Sequence, residues 1–381
     1  MALISNIFTY VVPALFMLTI VVFIHEMGHF LVARWCGVKV QTFSIGFGKE
    51  IWGFNDAQGT RWCLARWPLG GYVKFIDDEN SASAPSKAAL DGMAPEARQG
   101  AFQSKPLWQR AAVVIAGPLF NIVSAAIIIF LSAWLVGSQM LTTTISEVQP
   151  NSPAAKAGLL AGDRIAEIGG RSLERFSELQ QIVMQSPGKP LSFVVERQGR
   201  QMSFSITPEQ RTRKDPIGNS IEVGVIGVAP SQGVHKRHGF FDAMGFGIRE
   251  TGNISWEVIK GIPKIPAAIA KVFSFKPQSD IGGPGAIAEM TAQAAKGGIG
   301  SFVGWIAIFS IILGIMNLLP IPLLDGGHLT FYAIEAIRGR PLEERIQEYA
   351  FKVGIVVIAT LMSAAFIGDI TRYVGRALGT G

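Results

Sequence analysis

The sequence predicts a polytopic α-helical membrane protein. It carries about four transmembrane helices, a membrane-associated β-hairpin region and one small α+β domain outside the cytoplasm. Three observations lead there. Hydrophobic residues make up 49% of the 381 positions and charged residues only 16%, against about 25% charged in a soluble domain. Four stretches approach the ~20 apolar residues that a helix needs to cross about 30 Å of hydrocarbon. Between the second and third stretches the pattern becomes that of a soluble domain, with short apolar runs punctuated by Gly and Pro.

The first stretch, Met1–Ile24, has no charged side chain, and its apolar character continues past His25-Glu26 to Ala33. It lacks the basic start and small-residue cleavage site of a signal peptide, so it reads as a retained helix. The others are Ala111–Ser146, Gly297–Leu324 and Val353–Gly368, the last extending toward Asp369. Arg34, Lys39, Lys105 and Arg110 flank the loop between spans one and two; Arg338, Arg340, Arg345 and Lys352 lie between spans three and four. Basic residues near spans mark the cytoplasmic side. The segment from about Glu147 to Gly297 and both termini therefore fall on the opposite side, periplasmic in a Gram-negative bacterium. The two cysteines, Cys36 and Cys63, exclude a disulfide scaffold and fall on the reducing side as free thiols. A net charge of +6 without a long Lys/Arg run gives nucleic-acid binding no support.

The segments divide as follows: 1–36, the first span; 37–106, a cytoplasmic or membrane-reentrant β region and linker; 107–141, the second span; 142–230, the soluble domain; 231–296, an amphipathic membrane-surface segment; 297–334, the third span; 335–381, a loop and the fourth span. Lys39–Ile45, Thr60–Leu64 and Gly71–Ile76 read as short strands around the turn Pro68-Leu69-Gly70-Gly71. Trp62, Trp67, Tyr72 and Phe75 suit either interfacial anchoring or a hairpin that offers an edge to an unfolded substrate. Residues 77–105 read as a mobile linker. In the soluble segment, Ser152-Pro153 starts a short helix that ends at Gly158, Asp163–Ile168 is a strand, Phe176–Met184 has helical spacing, and Leu191–Val195 and Met202–Ile206 flank the turn Gln198-Gly199. Ile221–Ala229 reads as a closing strand. The run Ser152–Leu159 followed by Gly162-Asp163-Arg164-Ile165 resembles PDZ domains of the bacterial protease type. That resemblance implies a peptide ligand held beside a strand; the alternative is a folded spacer. Phe240–Phe273 reads as an amphipathic surface helix broken near Pro263 and Pro266.

The chemistry concentrates at the end of span one. His25-Glu26-Met27-Gly28-His29 is an H-E-x-x-H motif. On a helix, positions i and i+4 share a face, so both imidazoles can reach one metal ion, and the intervening glutamate can act as general base. Charged groups inside a span cost about 2–3 kcal/mol each at its centre, which a divalent cation offsets. A catalytic zinc takes three protein ligands and a water. His235 and His238 lie on the wrong side. Asp325, at the cytoplasmic end of an apolar stretch broken by Pro320 and Pro322, is the favoured third ligand; His328 competes with it. Helix-breaking prolines at membrane depth point to a cavity. Asn121 and Asn317 are amides that suit substrate or oxyanion contact, or interhelical hydrogen bonding.

Together, His25–His29, Gly117–Asn121, the PDZ-like segment and Asn317–Gly327 resemble the site-2 protease family of intramembrane zinc metalloproteases, in its bacterial regulator-of-sigma-E protease branch. The resemblance covers nearly the whole chain, with its motifs in the expected order. It implies Zn2+ held by His25, His29 and Asp325, Glu26 as catalytic base, and Asn121, Asn317 and Pro320 as substrate-binding positions. Gly46-Phe47-Gly48 and the aromatic hairpin match the family's membrane-reentrant region. The implied reaction is hydrolysis of a peptide bond in or near the transmembrane segment of single-span proteins, an anti-sigma factor or signal-peptide remnants among them. Some members of this branch carry two PDZ domains, whereas this chain shows one. The rival readings are an inert membrane PDZ scaffold, against which an intact Glu26 argues, and a zinc-dependent transporter or metal sensor, which would need more ligands along the spans.

Overall fold

A computed structural model describes residues 7–78, 92–140, 142–173, 176–214, 220–231, 234–273 and 283–377. The chain forms two compact units, one of Met1–Leu131 with Met244–Gly381, the other of Ser132–Ala243.

In the first unit, a π-helical turn leads into helix α1 (Val12–Trp35). After strands β1 (Val40–Asn55) and β2 (Arg61–Phe75) and the short helix α2 (Pro95–Arg98) comes α3 (Leu107–Leu135). Four segments are long and apolar enough to cross a membrane: Phe8–Trp35, Leu107–Leu135, Ile299–Asn317 and Arg345–Val374. The small residues of α3 let its neighbours approach to backbone contact. A Cβ on Gly28 of α1 would overlap the Ala116 carbonyl, and one on Gly117 would overlap His29 Nε2.

The β region is more elaborate than three short strands. Val40–Ile45 pairs with Gly71–Phe75 on one side and lies beside Arg61–Leu64 on the other, while Glu50–Asn55 pairs with Arg61–Ala65. Phe43, Val73, Phe75 and Phe102 are buried against Phe30 and Val113. Phe47, Ile51, Trp52, Phe54 and Trp67 stay exposed, an apolar face suited to lipid.

The reading of 77–105 as linker is corrected in part. Residues 79–91 lie outside the described residues. Asp77 and Asp78 are buried, and so are Ala101 and Phe102. The Asp77 carboxylate accepts the backbone N–H groups of Phe102 (2.9 Å) and Gln103 (2.8 Å), which ties the far end of the segment to the sheet.

The second unit contains β3 (Ser138–Met140), β4 (Ile145–Val148), α4 (Pro153–Lys156), β5 (Arg164–Ile168), β6 (Arg171–Ser172), α5 (Phe176–Met184), β7 (Leu191–Arg197), β8 (Arg200–Ile206), β9 (Glu209–Lys214), β10 (Ser220–Val225), β11 (Val228–Pro230) and β12 (Val234–Lys236). Four strands form one sheet in the order β6-β5-β7-β8, and β11 pairs with β4. Ile145, Leu159, Ile165, Leu179, Phe193, Val195 and Ile206 fill its core. Ser152 caps α4 by accepting the Ala155 N–H. The closing strand expected over 221–229 is two strands, divided at Gly227 (φ +77°). His238 is bonded within this unit, 2.7 Å from Ser138 Oγ and 2.7 Å from Asp242 Oδ2.

The chain re-enters the first unit along α6 (Phe240–Gly261), a 3-10 turn containing Pro263, and α7 (Ile265–Phe273). Next come α8 (Pro284–Lys296), α9 (Ile299–Asn317), α10 (Asp325–Arg338) and α11 (Glu344–Ala377). The fourth span is far longer than its uncharged core suggests. It starts among Arg345 and Lys352 and runs beyond Asp369, whose carboxylate is buried and accepts the N–H groups of Gly283 (3.1 Å) and Gly285 (2.7 Å) at the start of α8. A charge within a span is thus satisfied by a helix N-terminus. The second span ends at Leu135, short of the expected boundary at 141, because the chain there turns into β3.

Candidate active site

The site lies where α1, α3 and the break between α9 and α10 meet the sheet edge. Helical spacing brings His25 and His29 to one face of α1, directed at α3. As Pro320 and Pro322 require, α9 stops at Asn317; the chain folds back through residues 318–324 and restarts at Asp325. Leu323 has φ +88°, a strained conformation for a leucine, and Gly326 and Gly327 leave no room for a Cβ against the folded-back segment.

Three side chains converge. His25 Nε2 is 3.1 Å from Asp325 Oδ2, His29 Nε2 is 3.5 Å from Asp325 Oδ1, and the two Nε2 atoms are 3.2 Å apart. Ligands about 2.0–2.2 Å from a tetrahedral centre stand roughly 3.3–3.6 Å apart, and these separations fall within a few tenths of an ångström of that range. Among the described residues, this is the only group of three or more His, Cys, Asp or Glu that could hold a metal.

The surrounding hydrogen bonds fix the imidazoles. His29 Nδ1–H donates to the Val113 carbonyl at 2.9 Å, which turns the Nε2 lone pair inward. The Asn317 amide lies 3.3 Å from His25 Nε2 and can donate only if that nitrogen is unprotonated. The proton of His25 then sits on Nδ1, 3.2 Å from the Asn121 amide. With its oxygen turned to the ring, that amide accepts it. Asp325 Oδ2 is buried without a hydrogen-bond partner. Inward lone pairs and an orphaned carboxylate oxygen suit a cation.

A cavity of about 300 Å³ opens on these atoms, with Glu26, Gly71, Tyr72, Val73, Asn317 and Leu323 on its wall. Glu26 packs against the sheet edge, its Cγ 3.3 Å from the point a Cβ on Gly71 would occupy. Of the positions expected to touch substrate, Asn317 lines the cavity. Asn121 is completely buried against His25 and does not line it, and Pro320 is exposed outside it. His328 lines the cavity without joining the ligand triangle. Sequence inspection missed Val113, which acts through its carbonyl and so carries no side-chain signal. It also missed Phe102, which is brought in by Asp77.

The profile of Peptidase family M50 matches residues 13–361. The chain belongs to peptidase family M50. Among its relatives, a Brucella suis protein named as a candidate zinc metalloprotease is 41% identical over 94% of each chain. Metalloprotease MmpA of Caulobacter vibrioides is 36% identical over 95% of each chain. The regulator of sigma-E protease RseP of Escherichia coli is 29% identical over 93% of this chain and 97% of its own. The crystal structure of the PDZ domain of a Listeria innocua SdrC-like protein covers 26% of this chain and 99% of its own at 24% identity, with a TM-score of 0.20. The H-E-x-x-H motif lies on a helix long and apolar enough to cross a membrane.

Proposed function

We propose that this protein is an intramembrane zinc endopeptidase that hydrolyses a peptide bond in or near the transmembrane segment of single-span membrane proteins. The converging triangle of His25, His29 and Asp325 beside Glu26, within helices fit to span a bilayer, supports this most directly. His25, His29 and Asp325 hold the ion. Zinc bound there supplies Lewis acidity, polarising a carbonyl and lowering the pKa of a water to about 7.

Glu26 takes the proton of the attacking water and returns it to the leaving amine. Asn121 orients His25 through Nδ1, and Asn317 holds the extended substrate from the cavity wall. A helical substrate hides its carbonyls in its own hydrogen bonds, so it must unwind first. The edge of Gly71–Phe75 receives the unwound segment. At its far end Phe75 is tied to Asp78, whose carboxylate accepts the Phe75 N–H and whose own N–H donates to the Phe75 carbonyl, so pairing with a substrate falls to the stretch before it.

In this reading the protein resides in a bacterial inner membrane with its PDZ-like domain and termini on the periplasmic side. That domain binds a peptide end of a substrate already trimmed by another protease, and an anti-sigma factor fits the substrate class, as do signal-peptide remnants. The test is reconstitution of the full chain in lipid vesicles with a single-span substrate. Cleavage inside the span by the wild type, lost in Glu26→Gln while zinc is retained, supports the proposal. Cleavage at the wild-type rate by Glu26→Gln removes Glu26 from its role.

A further inference from the structure

The chemistry above uses His25, Glu26, His29, Asn317 and Asp325, yet the cavity they share measures about 300 Å³. One water occupies on the order of 30 Å³. Most of the space is therefore left for substrate, and the walls without a part so far include Phe75, Phe102, Val114 and Tyr332.

These walls are rigidly built. The rings of Phe75 and Phe102 stack at 4.8 Å with 16° between planes. Phe102 is placed by the two N–H bonds to Asp77, and the Lys39 N–H donates to the Gly100 carbonyl at 2.8 Å just ahead of it. Opposite, Arg110 binds Glu335 through two bonds of 3.2 and 2.5 Å and sits 5.0 Å from the centre of the Tyr332 ring.

Among the described residues, the charges near this part of the cavity are paired. Asp77 and Asp78 accept backbone N–H groups, and Arg110 is neutralised by Glu335. Apart from Gln103 and His328, the described side chains that face this space are aromatic or aliphatic. Position follows from strand geometry. Glu26, Val73 and Phe75 line the same cavity, and Phe75 follows Val73 on the same face of the strand, about 6–7 Å along it. That is one side-chain repeat beyond Val73.

We propose that Phe75, Phe102, Val114 and Tyr332 form a side-chain pocket that selects an uncharged, apolar residue beside the bond to be hydrolysed. The proposal rests on the peptidase reading of the same site and adds its specificity. Phe102 here is a specificity residue, since it lies outside the ligand triangle and the base.

The test uses the full-length, zinc-loaded protein in detergent and three probes: N-acetyl glycine, leucine and aspartate hydroxamates. Binding is measured by calorimetry, with zinc content determined on every sample. The wild type is expected to bind the leucine probe about tenfold more tightly than the glycine probe, and the aspartate probe no better than glycine. Phe102→Ala is expected to bring the leucine preference below threefold, with zinc content and glycine-probe affinity within twofold of wild type. Val114→Phe, which fills the pocket from α3, is expected to remove the leucine preference without touching Phe102, and it decides the matter should Phe102→Ala lose its zinc. Equal binding of leucine and glycine probes by the wild type overturns the pocket while leaving the metal site standing; so does a preference that survives both substitutions, or stronger binding of aspartate. A wild type that takes up no zinc overturns the peptidase reading itself, and the zinc measurement separates that failure from the others.

Discussion

The Nε2 atoms of His25 and His29 face each other across 3.2 Å beside the Asp325 carboxylate. His29 commits its proton to the Val113 carbonyl, and the Asn121 amide stands 3.2 Å from Nδ1 of His25. Two lone pairs and a carboxylate oxygen at this separation repel one another unless a cation lies among them.

Asn121 therefore acts on the ion through His25. Asn121→Ala should weaken zinc binding about 10–100-fold, the usual effect of losing a group that orients a ligand histidine. Asn121→Asp, which still accepts from Nδ1–H, should restore most of it. Chelator competition on the full-length protein reads this directly, and an unchanged affinity in Asn121→Ala would remove the link.

Gly117 decides between two opposed effects. Glycine inside a helix costs about 0.5–1 kcal/mol relative to alanine, so Gly117→Ala should stabilise α3 by that amount if nothing stood nearby. A Cβ at this position, however, overlaps His29 Nε2 and comes within 2.9 Å of His25 Cε1. The expected outcome is lower zinc affinity with an intact fold. Undiminished zinc binding together with a raised unfolding temperature would show that α1 and α3 are less closely apposed.

Arg110 and Glu335 form a largely buried pair. Removing one partner strands the other, at a cost of about 3–5 kcal/mol, whereas replacing both with apolar residues is close to neutral. Glu335→Leu should sharply lower the thermal midpoint in detergent, and Arg110→Met with Glu335→Leu should recover most of it. A double variant as unstable as the single one would contradict this.

The second unit carries its own pH dependence. Burial raises the pKa of Asp163, but two 2.7 Å bonds from Arg197 and the Leu160 N–H outweigh it and hold the carboxyl below its ordinary value. A depressed folded-state pKa contributes stability above the unfolded value of about 3.9, and that stability is lost as pH falls through the folded value. Hydrogen exchange of β5 and β7 should be constant in protection from neutrality down to about pH 4 and weaken below it. In Asp163→Asn that acid limb should flatten, and an unaltered limb would assign it elsewhere.

Much of the site is legible in the sequence because its signals are local. The pair His25 and His29 needs only helical spacing, and Asp325 stands out as a lone acid after two helix-breaking prolines in an apolar run. Ser152, Gly158 and Gln198-Gly199 announce their cap and turns by residue type. What stays hidden acts through the backbone or across long separations. The Val113 carbonyl and the hold of Asp77 on Phe102 have no residue signature. The segment Glu50–Asn55 escapes notice because Gly46 and Gly48 seem to end the strand, whereas their positive φ values only bend it. Asn121 suits both substrate contact and interhelical bonding because buried amides in spans serve both purposes; the structure buries it completely against His25.

Zinc-edge X-ray absorption on the purified full-length protein tests the centre most directly. The expected spectrum shows two imidazole nitrogens at about 2.0–2.1 Å and oxygen neighbours at about 2.0–2.2 Å, with one protein oxygen shell lost in Asp325→Ala. A sulfur shell from Cys36 or Cys63, or a spectrum that Asp325→Ala leaves unchanged, would contradict a centre built from His25, His29 and Asp325.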